Sequence, residues 1–334
     1  MLTAWRPGRA VLGVGIVATA AALFVVSLRA AGLAAVTEAV SKVQLWFGVV
    51  LLLGGFRFLA RAAAWRLCLE RPSTFPLSSA FIAVAAGSAI GSATPFGALA
   101  SEPAKVLAVS ARAGASEAAA ALAVENLFYV ASVLVTLSVG GAALCVALGY
   151  STSAVVIVIA VMLATLAGFR FATASLASRS LWARTRRRVE VRAGARMSGA
   201  LVKLDRIANA LAVGFRAARP RITTIAALEM TFHLAAVVEI AIIVGAMGAV
   251  RQSVVSAAIL EAANRLTMIA FQFLPLRLGV DEAVSGLTAE WLRVGAPIGV
   301  GVALVRKGRM LCWSAIGFAL AALLTRGGPA GDPQ

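Results

Sequence analysis

Apolar residues run in long stretches broken by short clusters of glycine, proline and charge. Six stretches reach or approach the ~20 residues that carry a helix across about 30 Å of hydrocarbon. They are Val11 to Leu28, Val43 to Ala60, Ala119 to Leu148, Ala154 to Ala172, Ile222 to Val250 and Gly295 to Leu324. Two further regions, 78–109 and 253–293, are interrupted in matching ways. Pro95-Phe-Gly-Ala-Leu-Ala-Ser-Glu102 and Pro275-Leu-Arg-Leu-Gly-Val-Asp-Glu282 each set a glutamate seven residues after a proline, with Leu107 and Leu287 five residues further on. Proline breaks helices and glutamate is costly in hydrocarbon, so the pattern predicts paired broken helices around a polar site.

Composition supports this reading, because 61% of residues are hydrophobic and 13% charged, more apolar surface than a soluble core can use. Residues 1–334 read as a single, all-α polytopic membrane domain. Arg6 and Arg9 precede the first stretch, no convincing cleavage site ends it and further spans follow, so a retained signal anchor is expected. The formal charge of +17 is concentrated between Arg179 and Arg221, where twelve Lys or Arg stand against Glu190 and Asp205. The positive-inside rule holds this loop, 174–221, in the cytoplasm, where anionic phospholipid headgroups attract 179–221. Topology anchoring explains the charge better than nucleic-acid binding does, so no nucleic-acid partner is expected. Met197, Leu201, Leu204, Leu211 and Phe215 fall at helical spacing and predict an amphipathic helix along the membrane surface.

Arg57, Arg61, Arg66 and Arg71 place the end of the second span in the cytoplasm, and with it the N-terminus. Two full spans separate that point from the basic loop, so 78–109 must enter and leave on the cytoplasmic side. Its Gly87, Ser88, Gly91, Ser92 and Pro95 suit a hairpin of closely packed half-helices. The region 253–293 then dips in from the opposite face. The expected architecture is about six transmembrane helices plus two re-entrant helical hairpins in an inverted-topology repeat, 43–148 and 222–325. Drawing each hairpin as two full spans gives eight spans instead. The expected location is a bacterial inner (plasma) membrane, with both termini cytoplasmic; monomer and homo-oligomer are both left open.

Glu102 and Glu282 lead the candidate site, against the alternative that each caps the half-helix that follows. Lys105, three residues after Glu102, can neutralise it on the same helix face. Glu125 lies 23 residues beyond Glu102 and Arg306 lies 24 beyond Glu282, so aligned repeats set an acid opposite a base. Arg306, Lys307 and Arg309 cannot all face lipid in the middle of a long helix. They border a polar cavity or mark an early helix end, and the cavity is preferred. Glu229 and His233, in the span that also holds Glu239, are one turn apart and can form a proton relay or, more simply, a polar clasp between helices. Glu261 and Arg265 form another such pair. Arg57, Arg61 and Arg66 can hold lipid phosphate, although topology signalling suffices for the last two.

The stretches Pro95 to Lys105 (PFGALASEPAK), Pro275 to Glu282 (PLRLGVDE) and Leu304-Val-Arg-Lys-Gly-Arg resemble the integral membrane domain of the lysylphosphatidylglycerol synthase/flippase family and its stand-alone relatives. The resemblance covers nearly the whole chain. It implies a domain without catalysis of its own that moves an amphiphile between leaflets. By the same resemblance the two polar motifs map onto Pro95, Glu102 and Lys105, and onto Pro275, Gly279 and Glu282. Ser101 stands where many relatives have glycine, and Lys105 where arginine is common. No soluble aminoacyl-transferring domain is expected in these residues, so lysylphosphatidylglycerol synthesis by this polypeptide alone is not expected either.

A single histidine excludes a HExxH zinc site, and Cys68, Cys145 and Cys312 lack metal or redox spacing. No cofactor, metal or catalytic residue is expected. The function expected is transport of a lipid or lipid-linked headgroup across the membrane, with membrane lipids as partners. Arg306, Lys307 and Arg57 would hold phosphate, and the two glutamates would hold cationic or hydroxyl groups. A lipid-modifying transferase or an accessory scaffold is the alternative.

Overall fold

The computed structural model describes residues 7–94, 97–177, 209, 211–250 and 253–326. The chain begins with α1 (Pro7–Ala31), which turns through 84° at Gly32 into α2 (Leu33–Ser41). Gly32 has a φ of 81°, open mainly to glycine. Next come α3 (Phe47–Leu67), a first pair α4 (Leu77–Ala93) and α5 (Gly97–Ala113), then α6 (Ala115–Ala147) and α7 (Thr152–Ala177). The second part holds α8 (Ile222–Ala246), a second pair α9 (Ser253–Ala270) and α10 (Val280–Trp291), and α11 (Ala296–Arg326). Among the described residues four helical segments are long and apolar enough to cross a membrane, Gln44–Leu67, Ala115–Ala147, Thr152–Phe171 and Leu211–Ala246, and the bent pair Ala18–Ala31 and Leu33–Ser41 makes a fifth if it is one span. None of the apolar window in Thr152–Phe171 is buried inside the protein, so its side chains form an outer, lipid-compatible surface.

The expected sixth span is one continuous 31-residue helix, α11, but it does not qualify as an apolar span among the described residues. Arg306, Lys307 and Arg309 occupy its middle, which settles the alternative of an early helix end against that alternative. The two interrupted regions form helical pairs whose arms have 17, 17, 18 and 12 residues. At 1.5 Å per residue these arms extend roughly 18–27 Å.

Close backbone contact makes the first pair possible. A Cβ on Gly97 would collide with the carbonyl oxygen of Gly91, and one on Gly87 would lie 2.5 Å from Lys105 Cγ. Pro95 lies outside the described residues. In the second pair Pro275 opens a 3-10 turn (Pro275–Arg277) in which Leu276 and Arg277 have φ of 55° and 45°. This left-handed backbone costs about 1–2 kcal/mol per non-glycine residue. Gly279, with φ of 82°, then caps α10. A Cβ there would strike the Ala20 carbonyl oxygen of α1, so the turn and α1 hold each other in place.

At the centre α3 and α8 pack antiparallel. Arg221, at the start of α8, donates to the carbonyl oxygens of Leu67 (3.1 Å) and Leu69 (3.3 Å) at the end of α3, whereas Val50 near the start of α3 packs with Ile240, Ile243 and Val244. Two apolar layers result. One joins Trp65, Cys68, Phe128 and Ile225; the other joins Val50, Ile243, Leu260 and Val302. Arg57 and Arg61 on α3, and Glu229, His233 and Glu239 on α8, lie between the layers. The arms also cross-pack: α4 lies against α11, and α9 lies against α6.

The basic loop from 179 to 208, with Met197, Leu201 and Leu204, lies outside the described residues. Leu211 and Phe215 do not lie along a membrane surface. Both pack into the first apolar layer, where Phe215 stacks on Phe128 at 5.7 Å between ring centroids. Helix 211–218 continues through Arg219–Arg221 into α8, so the span begins earlier than the sequence suggests.

The Gly91–Gly97 contact sets a stability test. Gly97→Val is expected to destabilise the protein by about 1–3 kcal/mol, the usual range for overpacking, seen as a lowered midpoint in thermal unfolding of detergent-solubilised protein. Gly168→Val on α7, where a Cβ meets nothing within 4 Å, is the control and should leave the midpoint unchanged. Equal midpoints for the two variants would contradict the close contact.

Candidate functional site

A cavity of about 480 Å3 opens between the two helical pairs and is walled by α3, α6, α9, α10, α11 and Phe232 of α8. Eight cationic side chains line it against two carboxylates, Glu102 and Asp281. Burying so many charges is tolerable only if each finds a partner, because an uncompensated ion in a low-dielectric interior costs several kcal/mol. The partners stand behind the cations. Glu125, Glu239, Glu261 and Glu282 are at most 1% exposed, and none of them lines the cavity.

On one side Arg61 donates from Nε and Nη2 to both oxygens of Glu125 (2.7 and 2.9 Å) and from Nη2 to Asn126 Oδ1 (3.0 Å). Its guanidinium lies 4.3 Å from the centre of the Tyr129 ring. Asn126 Nδ2 donates to Glu102 Oε2 (2.8 Å), and Lys105 Nζ donates to Glu102 Oε1 (2.7 Å). The chain Glu125–Arg61–Asn126–Glu102–Lys105 thus ties α6, α3 and α5 together. Arg61 is therefore not a topology signal at the helix end. Arg66, in the last turn of α3, donates from Nε to the Phe75 carbonyl oxygen at 2.6 Å.

In the middle Glu239 receives three arginines: Arg57 from α3 (3.0 Å), and Arg309 (2.8 Å) and Arg306 (3.5 Å) from α11. Arg306 also reaches Glu261 (2.9 Å), which Arg265 holds from the next turn of α9 (2.5 Å). Arg57 and Arg265 lie 4.4 and 5.2 Å from the centre of the Phe232 ring, whose electron-rich face favours cations.

On the far side Lys307 contacts Glu282 (2.7 Å) and Asp281 (3.4 Å), and Arg277 pairs with Asp281 (3.1 Å). Glu282 also accepts from the Gly279 backbone N–H (2.8 Å), so it caps α10. The two glutamates of the repeated motif consequently differ. Glu102 sits in the second turn of α5, lines the cavity and has a side chain 31% exposed, whereas Glu282 sits in the first turn of α10 and is fully buried. Glu282, expected to contact a ligand, does not line the cavity, whereas its partner Lys307 does.

The expected Glu229–His233 hydrogen bond is not formed. His233 Nε2 lies 3.0 Å from Ser132 Oγ on α6, with its ring stacked on Tyr129. Neither carboxylate oxygen of the buried Glu229 receives an N–H or hydroxyl donor among the described residues; its carboxyl lies beside that of Glu125, with which it can share a proton. The histidine thus clasps α8 to α6. Asn126, Tyr129, Phe232 and Asp281 escaped sequence reasoning. The signal available for Asn126 was its place beside Glu125, a second polar residue within an apolar helix.

Breaking one buried pair should cost more than replacing both partners. Arg61→Met is expected to destabilise by about 3–5 kcal/mol, and Arg61→Met/Glu125→Leu to recover most of that loss. Thermal unfolding of both variants checks this, and a double variant no more stable than the single one would show that the pair does not act as a unit.

A family model described as the lysylphosphatidylglycerol synthase TM region matches residues 10–324. No curated protein and no solved structure matches the chain. The match covers both helical pairs, the charged cavity and every apolar helix long enough to cross a membrane. The chain is a multi-pass membrane protein and belongs to the lysylphosphatidylglycerol synthase transmembrane family, a family of membrane lipid biosynthesis.

Proposed function

We propose that this protein moves a lipid or lipid-linked headgroup between the leaflets of the bacterial inner membrane, without chemistry of its own. One observation carries the reading: a charged cavity lies between two pairs of short helices, inside a molecule whose outer surface is apolar. Its volume falls in the ~300–1,000 Å3 range of small-molecule sites and suits a headgroup, leaving acyl chains in the bilayer. The antiparallel α3–α8 pair and the exchanged contacts of α4 with α11 and α9 with α6 support an inverted repeat whose halves rock about the cavity. Membrane lipids are the partners, and both termini are cytoplasmic.

The transferase alternative finds less support. Glu102 is paired with Lys105, and Asp281 with Arg277 and Lys307, so neither cavity carboxylate is left as an uncommitted base.

Ser92 on α4 and Ser314 on α11 bring their hydroxyl oxygens within 2.8 Å across the two halves. A disulfide there, Ser92→Cys/Ser314→Cys in a background lacking Cys68, Cys145 and Cys312, should hold the halves together. In proteoliposomes carrying fluorescent phospholipids, the wild type is expected to expose inner-leaflet lipid to an external quencher faster than protein-free vesicles do. The oxidised double variant should lose at least about tenfold of that rate, given a conformational step that the bond forbids, and reductant should restore it. Wild-type rates equal to those of empty vesicles, across anionic, zwitterionic and cationic lipids, would sink the transport reading.

A further inference from the structure

The charges around the cavity do not balance where α3, α9 and α11 meet. Arg57, Arg265, Arg306 and Arg309 share two carboxylates, Glu239 and Glu261. All four arginines line the cavity and neither glutamate does. The pairing therefore fixes the guanidiniums from behind and leaves an excess of two positive charges facing the ligand space. Arg57, on α3, is 5% exposed, and its buried Nε has no hydrogen-bond partner among the described residues. Guanidinium groups present forked donors that match the oxygens of a phosphate, and their attraction is strongest where water is scarce.

Resting on the transport reading, we propose that this four-arginine cluster is a phosphate-binding subsite that selects headgroups of net negative charge. A lysine-bearing headgroup is disfavoured in the same cavity. Its ammonium would meet an excess of positive charge, and the carboxylates that line the cavity among the described residues, Glu102 and Asp281, are already neutralised by Lys105, Arg277 and Lys307. The remainder of the cavity, lined by Ser88, Asn264 and Gln272, is left to read whatever the phosphate carries.

The variant that tests the subsite is Arg306→Gln. It removes one excess charge yet leaves Glu239 with Arg57 and Arg309, and Glu261 with Arg265, so both carboxylates stay paired. Binding is read on purified full-length protein as a ligand-induced rise in thermal midpoint, using short-chain phosphatidic acid, phosphatidylcholine, lysylphosphatidylglycerol and inorganic phosphate as separate probes. Phosphatidic acid is expected to bind at least about tenfold more tightly than phosphatidylcholine or the lysyl lipid, and Arg306→Gln to lose about tenfold of that affinity, the scale of one charge-assisted hydrogen bond. A comparable rise with inorganic phosphate alone supports the same subsite and identifies a soluble anion as its source, whereas a rise with phosphatidic acid alone identifies the lipid.

The proposal is overturned if the neutral or lysyl lipid binds as tightly as phosphatidic acid, or if Arg306→Gln, folded by its unliganded midpoint, binds phosphatidic acid unchanged. The same probes in the vesicle assay separate the two readings. Movement of all headgroups alike removes the selectivity and keeps transport; movement of none removes transport.

Discussion

Glu239 is the interaction on which the architecture turns. It is a single fully buried carboxylate on α8 that holds Arg57 of α3 together with Arg306 and Arg309 of α11. Without it three cations would lie between two apolar layers with only Glu261 nearby, at a cost that hydrophobic packing of the same helices could not offset cheaply. With it, α11 can be long, central and charged. The two apolar layers then act as seals above and below, confining the polar material to one level of the molecule.

Aromatic rings complete that level. Phe232 sits within 6 Å of three guanidiniums, and Tyr129 lies under Arg61 while accepting a hydrogen bond from Arg265. Trp313 plays the matching part at the cavity edge. Its indole N–H donates to the Leu51 carbonyl oxygen, and its ring lies where side chains on Gly54 and Gly55 would otherwise stand. Small residues on α3 thus admit the bulk of α11, and the cation-bearing face of each helix is set by what its neighbour leaves out.

Much of this was legible in the sequence, and the failures have physical causes. Long apolar runs announce helices, and prolines with glycines announce breaks, because both are properties of single segments. The equivalence of Glu102 and Glu282 failed because spacing was counted from the prolines, whereas helix starts are set by glycine. Gly97 is the first residue of α5, five before Glu102, while Val280, just after the Gly279 cap, is the first of α10, only two before Glu282. Arg61 resembled a topology signal because its partner, Glu125, is 64 residues away. Glu229 and His233 resembled a pair because helical spacing permits contact but does not set rotamers, and the stacking of His233 on Tyr129 decided its direction.

The arrangement of ion pairs has a consequence for the order in which the chain is made. Every carboxylate that receives Arg306, Lys307 or Arg309 lies earlier in the sequence, on α8, α9 or α10. Each cation would cost ~2.5–3.5 kcal/mol at the centre of a lone inserting helix, but α11 emerges from the ribosome after all its acceptors. Arg57 has no such advantage, since Glu239 follows it by 182 residues. The second half of the protein thus supplies the receptor for its own most polar helix, whereas α3 must wait, unneutralised or near the interface, until α8 arrives.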